Sequence, residues 1–414
     1  MTAALYCGVT KPTIGEQCLR PVVDELNGLI RDGNLLRGKH ITVKIRVIAA
    51  YTPARAFLKG VSGHTGYWSC QKCTVKGEYY QQRRTMVFPF GHEPKRTDAG
   101  FRINEPPGHR KNATPLTELA DFDIVEDTAQ PCEVHRKPRQ IKYAGFWKGS
   151  EYAFFFHYSS FIVLERHISP AEYQHFMLLF CATTLLSAKA HRAKWPLAEQ
   201  MMEQFVKDYE TVYGVGYMTS NVHNLLHVHD EVVRFGSLSA ISTYRFENEL
   251  QHLKRLLRSG WKNLEQAVNR ISEFENFGMP KPPEQTITYP SQVSKFNTKV
   301  FVRPRLTLQT GWGNAWFLTA DGSIGKLQSA ADGTDADVGK VLVRGHRLCR
   351  KMPAFDTPMD SNDMLIYRGC IRDLSTGADL QCSTDELVCK LVVTASRSRQ
   401  DLTLVPLLHT FRDD

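Results

Sequence analysis

The sequence predicts an α+β multidomain chain: a short mixed segment, an irregular insertion, a helical region and a small all-β C-terminal domain. Three observations predict it. Apolar residues recur at helical spacing over 14–31 and again across 143–274. They alternate over 41–50. Beyond a proline-bearing stretch, Met279–Ser294, they come in short clusters separated by turn residues. Periods of 3.6 and of 2 mark helix and strand respectively. The 414 residues allow two or three domains. In chain order the segments are 1–59, 60–142, 143–278, a linker over 279–296, and 297–414.

The first helix is expected over Ile14–Arg31, where Leu19, Val22, Val23, Leu26, Leu29 and Ile30 form an apolar stripe. A strand is expected over Ile41–Ala50, with Ile41, Val43, Ile45 and Val47 on one face. Thr52-Pro53 suits a cap and first-turn proline, so a short helix follows. From Gly60 to Gln130, glycines and prolines with few periodic apolar positions predict an extended or metal-ordered insertion. Ser169-Pro170-Ala171-Glu172 is a capping box opening an apolar helix, Tyr173–Ser187. Helices over Leu197–Tyr213, Met218–Phe235, Phe246–Leu257 and Leu264–Phe274 complete the helical region. After the linker, Val300–Val302, Ala315–Leu318, Lys340–Val343, Met364–Tyr367 and Cys389–Val393 read as short strands. Asp321-Gly322 and Asp332-Gly333 serve as turns, and the whole predicts a small antiparallel barrel or sandwich.

Composition narrows the classes. A hydrophobic content of 42% with 23% charged residues is that of a folded globular chain. The longest apolar run, Met177–Leu186, is ten residues and too short for a membrane span. Without a signal-peptide pattern, a cytosolic or nuclear location is expected. Ten cysteines do not make a disulfide scaffold. A net charge of +9 suits a nucleic-acid partner. No small-molecule site is signalled: Gly311-Trp312-Gly313 and Gly214-Val215-Gly216 lack a phosphate-binding context, and no nucleophile elbow occurs.

One constellation carries metal chemistry. Cys70-Gln71-Lys72-Cys73 is a CxxC in a loop, and His223 with His227 places two imidazoles at i and i+4. Two thiolates and two imidazoles make a tetrahedral, structural Zn²⁺ site chemically reasonable. His229 competes with either histidine, and a reduced, unliganded CxxC is the plain alternative. From Arg55 to Arg110 there are ten Lys or Arg against four Asp or Glu, interleaved with Tyr67, Trp68, Tyr79, Tyr80, Phe88 and Phe90. Such a mixture can contact phosphates and stack on exposed bases. The DNA-contacting set it suggests is Arg55, Lys59, Lys72, Lys76, Arg83 and Arg84, joined by Lys254, Arg255 and Arg258.

Tyr51-Thr52-Pro53-Ala54-Arg55-Ala56-Phe57, with the run Gly63–Cys73 behind it, closely resembles the transposases of CACTA-type (En/Spm-like) DNA transposons in their animal form. The resemblance covers most of Tyr6–Glu275 and is specific over Pro53–Glu78, Arg96–Leu119 and Ser220–Leu257. Trp316–Gly322 and Val405–His409 are similar to the family's β-rich C-terminal extension. It implies a partial RNase H-like core of the DDE type, with the CxxC segment inserted, and supports zinc at Cys70, Cys73, His223 and His227. It also implies a nuclear protein whose partners are DNA and a full-length related transposase.

In that family the strand ends in Cys-Asp-Ala-Pro-Ala-Arg-Ala-Phe, and the Asp is a metal-binding carboxylate. The matching position here is Tyr51. A phenol cannot replace a carboxylate at a Mg²⁺ site, which needs hard anionic oxygens. Tyr244–Leu250 resembles the family's aromatic-Pro-Phe-Glu-Asn stretch, so Glu247 matches the third carboxylate as a vestige. The first carboxylate would precede the first helix, where Met1–Gly8 offers none. Asp121-Phe122-Asp123-Ile124-Val125 runs within a few residues into Pro131-Cys132-Glu133-Val134-His135, which the family places much later, implying an internal deletion. Two-metal phosphoryl transfer needs several carboxylates holding ions about 4 Å apart. The resemblance therefore implies a catalytically inactive, transposase-derived protein that retains DNA or transposase binding. Two other readings stay open. One is an active Mg²⁺-dependent transposase or nuclease drawing a carboxylate from Asp121 or Asp123. The other is a zinc-stabilised interaction module that does not bind DNA.

Overall fold

The computed structural model describes residues 12, 14–36, 38–50, 52–129, 147, 149–241, 257–258, 262–277, 289–292, 299–332, 340–395 and 400–412. Tyr51, Cys132, Glu247, Lys254, Arg255 and the helix expected over Phe246–Leu257 thus fall largely or wholly outside the described residues. The fold is mixed α+β. Its regular elements begin with α1 (Gly15–Asp32), β1 (Asn34–Leu36), β2 (Lys39–Ile41), β3 (Ile48–Ala49), α2 (Thr52–Lys59), β4 (Glu78–Tyr80), β5 (Thr85–Val87), α3 (Asp98–Arg102) and β6 (Thr128–Ala129). Then come α4 (Gly149–Tyr158), α5 (Ser160–Leu164), α6 (Pro170–Leu186), α7 (Trp195–Tyr213), α8 (Ser220–His223), α9 (Val228–Phe235) and α10 (Asn263–Phe277). The rest is β: β7 (Ser291–Gln292), β8 (Lys299–Arg303), β9 (Leu306–Gln309), β10 (Trp316–Thr319), β11 (Ile324–Asp332), β12 (Val341–Arg347), β13 (Met352–Pro353), β14 (Tyr367–Cys370), β15 (Leu380–Ser383), β16 (Leu387–Ala395) and β17 (Asp401–Pro406). The chain packs as two compact units, Met1–Glu133 with Met202–Pro280, and Val134–Met201 with Lys281–Asp414.

In the first unit, the amphipathic stripe of α1 seats Val23 in a core with Ala56, Val61, Phe101, Leu116, Leu119, Phe122, Ile124 and Val125. Asn27 fixes the helix against the 115–120 turn, donating to the Glu118 carbonyl and accepting from the Ala120 N–H, both at 2.9 Å. The strand expected over Ile41–Ala50 forms only at its ends. β2 pairs with β1 as a hairpin, and β3 pairs in parallel with β6 (Ile48↔Thr128, Ala49↔Ala129). Between them, 42–47 has no ladder partner among the described residues. Alternation sorts side chains to two faces, but a partner strand is what makes a ladder.

The second unit holds the large sheet. Its eight strands run β13-β14-β17-β16-β10-β11-β12-β15, every pairing antiparallel. β10 is buried on both faces, which explains its unbroken apolar sequence. Phe317 enters a core with Val300, Leu306, Leu308, Leu327, Val343 and Leu380. Trp316 and Leu318 enter a second core with Ile324, Leu391, Leu402 and Leu404. β9, β11 and β15 were not anticipated from the sequence, because polar residues on their outer faces dilute the apolar signal; β17 was not either, although only Asp401 of it is exposed. Met364 ends a 3-10 turn, Ser361–Met364, rather than starting a strand; Leu365 takes a left-handed conformation (φ 60°) before β14 begins.

Gly325 shows how tight the first of these cores is. A Cβ there would lie 2.4 Å from Phe317 Cζ and 2.5 Å from Leu380 Cδ2. Gly325→Ala is therefore expected to destabilise this unit by about 1–3 kcal/mol through overpacking. An unchanged melting midpoint for that variant would contradict this packing.

The capping box predicted at Ser169 is present. The Glu172 N–H donates to the Ser169 hydroxyl, and the Ser169 N–H donates to the Glu172 carboxylate. α6 behind it buries Met177, Phe180, Cys181, Leu185 and Leu186. His157 is enclosed here, its Nδ1 3.4 Å from the Thr184 hydroxyl, and burial pushes its pKa down to about 4. The unfolded chain would protonate it near 6.5. Since the unfolded state binds the extra proton, stability present above about pH 6.5 is lost as the pH falls toward 4, by about 3 kcal/mol. Chemical denaturation across this range should show that loss, and His157→Leu should reduce it, the buried His109 and His191 contributing in the same sense.

Candidate metal centre

The first unit brings together Cys70, Cys73, His223 and His227, four residues from two stretches about 150 positions apart in sequence. The CxxC sits on a loop whose backbone folds around the first sulfur: the N–H groups of Lys72 and Cys73 approach Cys70 Sγ at 3.5 and 3.4 Å. A small core of Val75, Met86 and Phe88 packs behind the two cysteines.

The histidines lie where the helix expected over Met218–Phe235 is broken. α8 ends at His223, Asn224–His227 form a 3-10 turn, and α9 starts at Val228. A 3-10 turn is tighter than an α-turn, so residues four apart no longer stack directly above one another. The two imidazoles lie with centroids 5.3 Å apart and planes at 71°.

Cys73 Sγ lies 3.2 Å from His223 Nε2, Cys70 Sγ lies 3.4 Å from His227 Nε2, and the sulfurs are 3.5 Å apart. All four ligand atoms fall within 4.8 Å of one another. A tetrahedron with metal–sulfur bonds of ~2.3 Å and metal–nitrogen bonds of ~2.0 Å has edges of about 3.3–3.8 Å. The donor set therefore fits around one ion, and the four residues could hold a metal. All are buried, Cys70 and His223 to 1% exposure. His229, the competing ligand of the sequence reading, is not part of this group.

The electrostatics agree with thiolate ligation. Burial alone would raise the Cys70 thiol, but hydrogen bonds with Cys73, His223 and His227 outweigh it and hold the group well below the usual thiol range. Cys73 is driven the other way, first by its hydrogen bond with Cys70 and then by burial. A bound cation would relieve that conflict, because it favours both deprotonated sulfurs. Arg96 closes the loop from beneath, its Nε donating to the Cys70 carbonyl at 3.0 Å.

A buried ion cluster braces the same elements. Arg55 on α2 and Lys72 in the CxxC loop both lie 3.5 Å from the carboxylate of Glu231 on α9. Lys72 also donates to the Val125 carbonyl at 3.0 Å. Glu231 carries no motif, and sequence reasoning missed it; its only signal is a position four residues past His227 on an otherwise apolar face.

The expected DNA-contacting cations divide sharply. Arg55 and Lys59 are interior residues, 3% and 0% exposed. Lys59 Nζ donates to the Thr128 hydroxyl at 3.3 Å, and burial, then the neighbouring cations Arg55, Lys72 and Arg96, hold its pKa well below the usual lysine range. Neither can reach a phosphate in this fold. The basic, helical pattern of 55–59 marked them as surface residues, whereas the fold turns that face inward. Lys72 is half-buried against Glu231, while Lys76, Arg83, Arg84 and Arg258 are exposed. Asp123 caps a turn, accepting from Val125 and Glu126 N–H at 2.9 and 2.7 Å, and Asp121 stands exposed in a left-handed conformation (φ 53°).

Among the described residues no helix is long and apolar enough to cross a membrane. The chain matches no protein-family model, no curated protein and no solved structure.

Proposed function

We propose that this is a transposase-derived protein of CACTA type that no longer cuts or joins DNA. It keeps a zinc-organised module that binds DNA or a related full-length transposase, in the nucleus. The observation that carries the reading is the meeting of Cys70 and Cys73 with His223 and His227, the pairing that the family resemblance implies for these distant segments. Two sulfur and two nitrogen donors leave no open coordination position, so zinc here is structural rather than catalytic. The remnant of an RNase H-like core would comprise α1, β1–β3, α2 and β6; the parallel β3–β6 pair with α2 directly after β3 supports it.

Catalytic silence follows from the carboxylates. Tyr51 stands two residues past the end of β3. Asp127 lies at the opposite end of the parallel pair, its carbonyl bonded to the Ile48 N–H, and its carboxylate is held by Arg234. Asp123 is occupied with its turn. Both carboxylates are engaged by protein groups, and Glu247 alone could not hold a Mg²⁺ pair.

Purified protein incubated with terminal-repeat DNA and Mg²⁺ or Mn²⁺ tests this reading. The expected result is salt-sensitive binding without nicking, with zinc found by metal analysis. Nicking abolished by Glu247→Gln would restore the active-enzyme reading. Zinc without any DNA binding would favour an interaction module.

A further inference from the structure

We infer that the β4–β5 hairpin and the turn at 214–217 form a stacking platform for unpaired DNA bases. The inference rests on the DNA-binding reading above and names the form of DNA that this face takes. The hairpin is anchored from below. Met86 and Phe88 pack with Cys70, Cys73 and Val75, and the Phe88 N–H donates to the Met218 carbonyl at 2.7 Å. Its tip lies tightly on the turn. At Gly216 a Cβ would fall 2.5 Å from Arg83 Cδ and 2.9 Å from Tyr80 Cε1, so a larger residue there would push these side chains off the turn.

The outer side of this anchored hairpin is aromatic and cationic. The Arg83 guanidinium lies 3.6 Å over the Tyr217 ring centre. Tyr217 is 47% exposed, and Arg84, next to Arg83 at the hairpin tip, is exposed. Glu78 is the sole carboxylate across 78–87 and 214–217, against two arginines. A guanidinium stacked by its face keeps its N–H edge for a phosphate, and a half-exposed ring beside it offers a flat surface to a base. In a duplex the base faces are already stacked on each other, so only its phosphates could use this surface. Single strands and frayed ends can use both parts.

The test compares oligothymidine of about 20 nucleotides with a blunt duplex of equal length, by fluorescence anisotropy at matched salt on the full-length, zinc-loaded protein. The single strand is expected to bind more tightly. Tyr217→Ala should weaken it about 5- to 100-fold with little change for the duplex. Tyr217→Phe should retain binding, which separates stacking from misfolding. Arg83→Ala should weaken both ligands and make the salt dependence shallower. Equal affinity for the two ligands, or alanine variants that bind the single strand like the parent, would overturn the platform while leaving DNA binding intact. Failure to bind either ligand would overturn both.

Discussion

Stripping a metal ion held by Cys70, Cys73, His223 and His227 is expected to unfold the region around the CxxC loop. Among the described residues only Val75, Met86 and Phe88 pack with the two cysteines in that core, and the loop over 60–77 contains no regular helix or strand. So small an apolar core supplies little stability on its own. Structural zinc contributes about 10–16 kcal/mol in small metal-folded domains, which matches or exceeds the whole net stability of a typical fold. Chelation, or Cys73→Ser, should therefore expose the amides of 60–95 and 214–235 to exchange and lower the melting temperature of the first unit. The second unit has its own two cores and should keep its protection. Hydrogen exchange followed by mass spectrometry reads both regions in one experiment. Protein shown to be metal-free by elemental analysis, yet with unchanged exchange over 60–95, would refute a structural role for the four ligands.

Glu231→Gln should be the most damaging single change outside the ligands. Its carboxylate is almost fully enclosed and faces both Arg55 and Lys72 at 3.5 Å. Burial already pulls the Arg55 pKa down, and the Glu231 charge partly offsets that. Neutralising the carboxylate removes the buried counter-charge that Arg55 and Lys72 share, at a cost of about 3–5 kcal/mol. Because Lys72 lies between the two cysteines and Glu231 follows His227 on α9, metal affinity should fall as well, about 10- to 100-fold. Thermal melts and competition with a zinc-binding dye measure the two effects separately. Adding Arg55→Met to Glu231→Gln should recover part of the stability, since it removes the more buried of the two cations. Should Glu231→Gln melt like the parent, the cluster contributes nothing and the bracing argument fails.

The four-residue cluster was legible in the sequence because metal-binding chemistry is encoded by residue type and short spacing. Cys70 with Cys73, and His223 with His227, are each a local pattern. The chain did not disclose on its own that the two pairs meet, that a 3-10 turn separates the imidazoles, or that His229 stays apart. Cations were harder. Arg55 and Lys59 look like surface residues by type, and Glu231 like any helical glutamate. Their burial depends on which elements close over α2, and no local pattern records that. The stacking platform was half-visible as tyrosines among arginines; the contact of Arg83 with Tyr217 needed residues more than 130 positions apart to meet.

By itself the sequence determined α1, α6 and α7, the capping box at Ser169 and the chemistry of the four ligands, because periodicity, caps and donor types act within a few residues. The tertiary structure alone decided that 42–47 finds no ladder partner among the described residues, that β10 is buried on both faces, and that Arg55, Lys59 and Glu231 lie in the interior. Those outcomes depend on strand partners and covering elements far away in the chain, so neighbouring residues do not specify them.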